Sequence, residues 1–337
     1  MSPKSEPSGS ITEAAPADSP EANAERLLVE IPAQLAGSRL DQALARLLPA
    51  FSRSRLQEWV RNGLVTLDGA VCRPKDKVLG GEQVEVLAVL KQRVDCRPQP
   101  IPLNLVYQDD DLLVIDKPPG LVVHPAAGNP DGTLQNGLLH FDPALAQLPR
   151  SGIVHRLDKD TSGLLVVARS LRAHTSLVNQ LQSRSMKREY LAVVCGLPVA
   201  GGTVDAPIGR HPTQRVRMAV VAGGKPAVTR YRVRERFRDH ALLEVRLESG
   251  RTHQIRVHLA HVHFPILGDP VYAGRSRLPR GASPALVECL RAFGRQALHA
   301  ARLTVEHPGS GEILSWEAPL PEDMGWLIDI LRRESQA

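Results

Sequence analysis

The sequence predicts an α+β protein in which a small module of helices and strands precedes a larger domain with a mixed, mostly antiparallel sheet. Short apolar or alternating runs, which are typical of strands, recur along most of the chain. Several neighbouring runs lie too close together for the crossover helix that parallel strands require. Helical periodicity is limited to short stretches between these runs, so strands dominate the larger domain.

Composition narrows the class of protein. A chain of 337 residues, 42% of them hydrophobic, is long enough for about two domains with buried cores. No apolar run approaches the ~18 residues of a membrane span, and the first residues lack the features of a secretory signal. The four cysteines show no C-x-x-C spacing, which argues against a zinc ribbon or a dense disulfide framework. We therefore expect a cytoplasmic protein without a membrane segment.

Charge is unevenly distributed along the chain. The formal net charge is +6, but the first 25 residues hold one lysine and five acidic residues, which leaves +10 on the remainder. A body this basic favours a polyanionic partner, because each Lys or Arg near a phosphate releases counterions. Residues 1–25 are rich in Pro, Ser, Ala and acids, and this composition predicts a disordered tail.

Residues 26–92 predict a compact module. Ser38 is a candidate N-cap for its first helix, which Pro49 ends, and Gly63 suits a left-handed end to the second helix. Its basic side chains are expected at the surface of the module, where the bland interpretation is that they are solvated; those that we select are Arg39, Arg53, Arg55 and Arg61. The expected elements are a strand over 26–31, helices over 38–48 and from Ser52 or Ser54 to Asn62, and strands over 64–67, 70–72 and 84–90.

A proline-rich stretch over 93–102 predicts a semi-extended, mobile linker before a domain over 103–335. The expected strands of that domain are 103–107, 112–115, 164–168, 190–194, 228–233, 242–247, 303–305 and 314–316. The expected helices are 134–139, 171–183, 252–261 and 284–293.

The segment over 152–168 places a charged loop directly before an apolar strand. Arg156 and Lys159 flank Asp158 in sequence, so we expect its carboxylate to stay ionised and able to act as a nucleophile or base. Thr161, Ser162 and Gly163 permit a tight turn or the close approach of a ligand. The alternative is a charged turn in which the aspartate caps neighbouring amides.

A second segment, over 247–260, combines a turn at Gly250 with a helix that Thr252 could cap. Arg251 then lies at a helix amino terminus, which suits the binding of an anion or a carboxylate. The nearby histidines raise a metal-site hypothesis, but no carboxylate or cysteine completes a set with recognisable spacing, so we expect packing or phosphate-facing roles. These histidines are His253, His258, His261 and His263.

Two further pieces complete the set. Tyr190, at the start of an apolar strand, is either an ordinary strand residue or a platform on which a base stacks. The basic segment over 209–218 is either a solvated hairpin or an element that reaches an RNA groove, through Arg210, Arg215 and Arg217.

Taken in order, these motifs resemble the RluA-type pseudouridine synthases. The motifs are His-Arg-Leu-Asp-Lys-Asp-Thr-Ser-Gly from His155, Lys-Arg-Glu-Tyr to Tyr190, Gly-Arg-Thr-His-Gln-Ile-Arg-Val-His from Gly250, and Pro-Ile-Leu-Gly-Asp-Pro-Val-Tyr from Pro265. In the module, Ser-Arg-Leu-Asp-Gln-Ala from Ser38 and Ser-Arg-Ser-Arg-Leu-Gln from Ser52 resemble the S4 RNA-binding fold. Small departures are Ser249, where the family often has Thr, and His263-Phe264 before Pro265.

The resemblance implies a site and a partner. It places the catalytic aspartate at Asp158, the stacking tyrosine at Tyr190 and the carboxylate-pairing arginine at Arg251. It also implies RNA contacts by His155 and Arg156, the latter at the gap left by an extruded base. The implied partner is large-subunit (23S) ribosomal RNA or its assembly precursors, with transfer RNA left open, and the implied state is a monomer.

The implied reaction isomerises uridine to pseudouridine without metal, nucleotide or redox cofactor. One carboxylate suffices, because no water is consumed and the departing base is retained, whereas glycoside hydrolysis usually needs two. The sequence leaves open whether Asp158 attacks the sugar or removes a proton from it. Two alternatives are a non-catalytic RNA-binding or ribosome-assembly factor and a metal-dependent hydrolase built on the histidines.

Overall fold

The computed structural model describes residues 24–48, 51, 53–89, 96–126, 128–214, 217–274, 278–279 and 281–336. The chain divides into two units between Asp95 and Cys96. Most of the expected disordered tail lies outside the described residues, and so does Arg215 of the basic segment. Within the described part, no helix is long and apolar enough to cross a membrane.

The first unit contains every element that the sequence predicts for the module. They are β1 (Ala24–Glu30), α1 (Leu40–Leu47), α2 (Arg53–Arg61), β2 (Val65–Leu67), β3 (Ala70–Val71) and β4 (Gln83–Val89). The strands form an antiparallel sheet in the order β1-β4-β2-β3. Leu44 of α1 and Leu56 and Trp59 of α2 are buried with Val86 of β4, so the apolar faces of both helices supply the core.

The start of α1 differs from the expectation. Arg39 occupies the N-cap position, and no side chain caps the helix. The Ser38 hydroxyl instead donates to the carbonyl of Leu35, which belongs to a preceding 3-10 turn. Ser38 is therefore not the N-cap, because that turn takes its hydroxyl.

The second unit contains all the strands and helices expected over 103–335. Its strands are β5 (Leu105–Gln108), β6 (Leu112–Lys117), β7 (Ser162–Ala168), β8 (Lys187–Cys195), β9 (Gly202–Asp205), β10 (Ile208–Arg210), β11 (Met218–Val220), β12 (Val228–Arg236), β13 (His240–Leu247), β14 (Leu298–Glu306) and β15 (Ile313–Glu317). Its helices are α3 (Leu134–Phe141), α4 (Leu171–Ser183), α5 (Gln254–His261), α6 (Pro284–Ala292) and α7 (Glu322–Gln336).

A mixed sheet organises this unit, as the sequence predicts. Among the described residues it has the order β5-β6-β7-β14-β8-β13-β12-β9, with β15 added to β14. Its pairings are antiparallel except that β7 runs parallel to β14. Gly163 has a φ of 108°, and a Cβ there would lie 2.3 Å from the carbonyl oxygen of Ala300. Gly163 therefore permits the close approach of β14, rather than of a ligand.

Two elements were not predicted, β9 and α7. Strands β10 and β11 pair antiparallel, as expected if the segment over 209–218 is a hairpin, which is one of its two interpretations. Strand β9 has four residues and gives little periodicity to detect. Helix α7 is amphipathic and buries Met324, Leu327, Ile328 and Leu331. This helix follows the last strand, and no later element in the sequence indicates whether the segment is helical or unstructured.

The expected linker is only partly separate from the second unit. Residues 96–102 belong to that unit, where the amide of Gln99 donates to the carbonyl of Asn136 and the Asn136 amide donates to the carbonyl of Arg97. Part of the proline-rich stretch is thus held against the first turn of α3, and residues 93–95 lie outside the described part.

Candidate active site

A cleft of about 930 Å³ lies in the second unit, between the loop before β7 and the start of α5. Its lining includes Asp158, Tyr190, Arg156 and Arg251, so the segments selected from the sequence do converge. The volume is in the range of ligand-binding clefts.

Asp158 lies in the loop that leads into β7, and its backbone carbonyl accepts from the amide of Thr161 at 3.1 Å. Its side chain is 14% exposed, towards the cleft. Oδ2 accepts a hydrogen bond from Nη1 of Arg256 at 3.1 Å. The other oxygen, Oδ1, lies 4.0 Å from Nε2 of His253, which is beyond hydrogen-bond distance. One carboxylate oxygen is therefore held by a guanidinium, and no hydrogen bond to the second is seen among the described residues.

Arg256 is oriented by a second carboxylate. Its Nε and Nη2 donate to the two oxygens of Asp269 at 2.7 and 2.9 Å. Asp269 is fully buried and also accepts from the amides of Val271 and Tyr272. Burial alone would raise the pKa of Asp269, but the hydrogen bonds and charge of Arg256 lower it below the usual value. The charged, bidentate pair therefore fixes the guanidinium that faces Asp158.

His253 and Tyr272 form the adjoining wall. Nδ1 of His253 lies 2.8 Å from the Tyr272 hydroxyl, which accepts from the amide of Met218 at 3.0 Å. Burial lowers the pKa of His253 below its usual value, so the neutral ring is favoured near pH 7. When Nδ1 accepts the hydroxyl proton of Tyr272, the ring proton is on Nε2, which faces Asp158.

Tyr190 lies on β8 and is buried in the wall of the same cleft. Burial raises the pKa of its hydroxyl, and Arg188 opposes that effect. The phenol is therefore protonated across the neutral range, and its aromatic body is available for contact with a planar group.

The expectation that Arg251 pairs with Asp158 is wrong. Arg251 is exposed at the rim of the cleft, where its Nε donates to the carbonyl of Pro226 at 3.2 Å. Arg256, five residues further along the same motif, makes the contact instead. Arg251 precedes α5, whereas Arg256 lies in the helix on the side that faces the cleft.

The predicted cap of α5 is also wrong. The helix begins at Gln254, after His253 in a left-handed conformation, and Thr252 is exposed. The Gln254 side chain instead fixes this corner: its Oε1 accepts from Ser249 and from the amide of Arg251, and its Nε2 donates to Val228 and Thr229. These contacts fix the first turn of α5, in which Arg256 lines the cleft.

Lys117 holds the loop that carries Asp158 through its contact with the Lys159 carbonyl. It is fully buried at the end of β6, and its Nζ donates to the carbonyls of Pro118, Leu121 and Lys159 at 2.7 to 3.0 Å. Burial lowers the pKa of Lys117 to about 7, although Asp160 and Asp158 oppose that shift. Because Lys159 follows Asp158, this amine ties the loop to the turn after β6.

The expected RNA contacts lie in three different settings. Arg156 is exposed at the cleft, whereas His155 is packed inward, with Nε2 accepting from the amide of Val166 at 3.2 Å.

The selected arginines of the first unit are all at least partly exposed. Arg39 and Arg53 are half exposed, and both donate to Asp41. The guanidinium carbon of Arg55 lies 5.9 Å from the centre of the Trp59 ring, and Arg61 is exposed. Arg210 ends β10, and Arg217 directly precedes β11.

The histidines do not assemble as a metal centre. His258 is buried and bonds to Thr229 and to the carbonyl of Ala206, each at 2.9 Å. In the portion of the chain that the structure describes, no group of three or more His, Cys, Asp or Glu is arranged to hold a metal ion. The hydrolase alternative has no support in this geometry.

Comparison with known proteins places the chain in a family. The family described as RNA pseudouridylate synthase matches residues 111–261, and the S4 domain matches residues 38–84. The chain is 59% identical over 305 residues to a ribosomal large subunit pseudouridine synthase D from Xanthomonas campestris pv. campestris, which covers 90% of this chain and 92% of that relative. The chain therefore belongs to the RNA pseudouridylate synthase family, whose members are isomerases.

Relatives with the same name occur in other bacteria. Identity is 57% for Escherichia coli strain K12, over 88% of this chain and 92% of that protein, and 56% for Pseudomonas aeruginosa, over 91% and 96%. The solved structure of human RNA pseudouridylate synthase domain containing 4 is similar at a TM-score of 0.54 and 27% identity, over 68% of this chain and 93% of that one. These findings confirm the predicted family and the S4-plus-synthase architecture.

Sequence reasoning missed four residues of the site: Lys117, Arg256, Asp269 and Tyr272. All but Lys117 lie in motifs that were quoted for the resemblance, so the signal was present in the spacing. What was missing was the start of α5, which decides the side of the helix on which Arg256 lies. A buried lysine such as Lys117 departs from the usual pattern and has no sequence signal of its own.

Proposed function

We propose that this protein isomerises specific uridines to pseudouridine in large-subunit (23S) ribosomal RNA. The named relatives share this printed function and more than half of their residues with the chain. The net positive charge of the folded part and the S4 match favour a polyanionic RNA substrate. The target uridine must leave its stack to reach Asp158, and the cleft is large enough for an everted nucleoside.

The observation that carries this proposal is the state of Asp158. A single carboxylate faces a cleft, with Oδ2 fixed by a guanidinium that is itself fixed by Asp269. The carboxylate is thus held in one orientation, and its side chain is partly exposed to the cleft. This arrangement suits a reaction that needs one carboxylate and no activated water.

The chemistry balances without a cofactor. The N1–C1′ bond breaks, the uracil rotates and a C5–C1′ bond forms, after which C5 loses its proton and N1 takes one up. Asp158 either attacks C1′ or removes a proton from the sugar, and both routes use its free oxygen. We propose that Tyr190 stacks on the uracil and relays the C5 proton. We propose no metal or redox group, since reactant and product are isomers.

The partner and setting follow from the same proposal. We propose that the protein acts as a cytoplasmic monomer on large-subunit RNA or its assembly precursors. Arg156 contacts the RNA at the gap that the everted base leaves, while the arginines of the first unit contact phosphates.

The direct test is to incubate unmodified large-subunit RNA with the purified full chain and map pseudouridine by carbodiimide-blocked reverse transcription. New stops at defined uridines are the expected result. Folded protein that produces no stops on large-subunit RNA contradicts the proposal, and stops on transfer RNA alone would move the substrate to that class.

A further inference from the structure

A buried arginine in the cleft has no partner. Arg188 lies on β8 and is only 8% exposed, yet its side chain makes no hydrogen bond or ion pair with any described residue. Its Nε is sealed from solvent without an acceptor. A buried guanidinium normally pairs with a carboxylate, because leaving the charge uncompensated is unfavourable.

The surroundings of Arg188 supply donors and positive charge. His155 lines the same cleft, and its Nε2 accepts from the amide of Val166, so the neutral ring carries its proton on Nδ1. That Nδ1 is likewise buried without a partner. Burial, then the charge of Arg188, lowers the pKa of His155 to about 3, so the ring stays neutral. Arg150 and Arg156 also line the cleft.

Arg188 lies close to the point where the RNA strand would enter the cleft in the proposed function. Arg188 and Tyr190 are two residues apart on β8, so both side chains project to the same face, roughly 6–7 Å apart along the strand. Tyr190 is where the everted base stacks in the proposed function. A base that swings out remains attached to its backbone, so the flanking phosphates come to the same cleft.

We propose that Arg188 binds a phosphodiester of the RNA strand that carries the target uridine. This proposal rests on the proposed function and assigns one phosphate site within it. The unpaired guanidinium supplies the charge, and Nδ1–H of His155 supplies a neutral donor beside it. The incoming phosphate completes the ion pair that the free protein lacks.

Gly250 keeps this site open. A Cβ at residue 250 would lie 2.8 Å from Nη1 of Arg188, closer than atoms tolerate. The guanidinium is the end of a flexible side chain, so Gly250→Ala would displace it without disrupting the backbone. This substitution offers a second way to remove the site.

The test uses binding without turnover. In an Asp158→Asn background, Arg188→Met is compared with Arg246→Met on a large-subunit RNA fragment that the unaltered chain modifies. Arg246 lies on the neighbouring strand β13, is 57% exposed and pairs with Glu189, so its loss is a matched removal of one positive charge. Arg188→Met should weaken binding roughly 10-fold or more and reduce the slope of log affinity against log salt by about one. Arg246→Met should change affinity less than about fivefold.

Neutral methylphosphonate linkages, placed one at a time around the target uridine, locate the phosphate. One position should weaken binding to the protein with Arg188 by a factor similar to that of Arg188→Met, with no further loss in the variant. Additive losses at every position, or equal affinities for the Arg188 and Arg246 variants, would overturn the phosphate site.

Stability separates this role from a structural one. Because Arg188 is unpaired in the free protein, Arg188→Met should leave the melting temperature unchanged or raise it, and Gly250→Ala should reproduce the loss of affinity. A lowered melting temperature with unchanged affinity would show that Arg188 is structural. If the unaltered chain forms no pseudouridine, the proposed function fails instead, whatever the variants bind.

Discussion

Each unit of this protein has an aspartate that accepts hydrogen bonds from arginine. The two carboxylates differ in how many donors surround them. In the first unit Asp41 is completely buried and accepts from Arg39, Arg53 and Gln57. In the second unit Asp158 accepts from Arg256 through one oxygen and presents the other to a cleft. The same pairing of charges thus produces a saturated carboxylate in one unit and an accessible one in the other.

The difference shows what distinguishes a structural ion pair from a reactive one. Asp41 has donors on every side, and its hydrogen bonds lower its pKa to about 2 although burial opposes them. Its role is to hold Arg39 and Arg53 in place, at a surface where both remain half exposed. The guanidinium beside Asp158 is instead held by Asp269, which leaves the carboxylate free for chemistry.

The largest effect should come from removing the accessible carboxylate. Asp158→Asn should reduce pseudouridine formation by roughly 10⁴-fold or more, because the group that reacts is lost. RNA affinity should stay within about fivefold, since the charge removed faces the RNA in one contact only. Single-turnover assays and filter binding measure the two quantities, and a normal rate would remove Asp158 from the reaction.

The second-largest effect should come from removing the arginine that orients the Asp158 carboxylate. Arg256→Met should lower the rate by roughly 10²-fold, because Asp158 loses its fixed orientation. It should also lower the free energy of unfolding by about 3–5 kcal/mol, because Asp269 is left buried and unpaired.

Arg251→Met is the matched control for Arg256→Met. Arg251 lies in the same motif but is exposed and bonds to a backbone carbonyl, so the rate should fall by less than about fivefold. Rate measurements and thermal unfolding compare the two variants. A larger rate loss for Arg251→Met than for Arg256→Met would restore the original sequence-based assignment.

A smaller effect is expected at Asp41. Asp41→Asn should destabilise the first unit by about 3 kcal/mol, because the charged acceptor for three side chains is lost. Hydrogen exchange of amides in α1 and β4 of the full chain measures this change. Lys75→Gln, at an exposed position outside α1 and β4, is the control and should leave exchange unchanged.

The free energy of unfolding should depend on pH in the acid range because of Asp41. The pKa of Asp41 is lowered from 3.8 to about 2 in the folded state, so its stabilisation is fully present only above about pH 5. As the pH falls through about 2, up to about 2 kcal/mol should be lost. The difference in unfolding free energy between the native chain and Asp41→Asn should shrink as the pH falls from about 5 to about 2. A constant difference would show that Asp41 does not have a lowered pKa in the folded state.

Much of the fold was accessible from the sequence because alternation and turns are local signals. The strands of the large sheet and both helices of the first unit were predicted, and the α+β class is confirmed. The loop that bears Asp158 was identified because polar residues directly precede an apolar strand. The short strand β9 and the helix α7 were missed, since neither has neighbours in sequence that define its context.

The site was less accessible because its contacts are non-local. Placing Arg256 rather than Arg251 on Asp158 depends on where α5 begins, and the Gln254 side chain determines that point through contacts with Val228 and Thr229. Lys117 and Arg188 are buried cations, which composition and periodicity assign to the surface. Only the folded chain shows that one binds carbonyls and the other lacks a partner.

The parallel pairing of β7 with β14 has a consequence for biosynthesis. His299 and Ala300 pair with residues 162 and 163, immediately after the loop of Asp158, so that part of the sheet closes only when residue 300 is available. The first unit needs contacts only within 24–89, and during translation it can fold as soon as it leaves the ribosome. The growing chain therefore completes its S4 unit well before the cleft that holds Asp158, while it is still attached to the machinery that contains its proposed substrate.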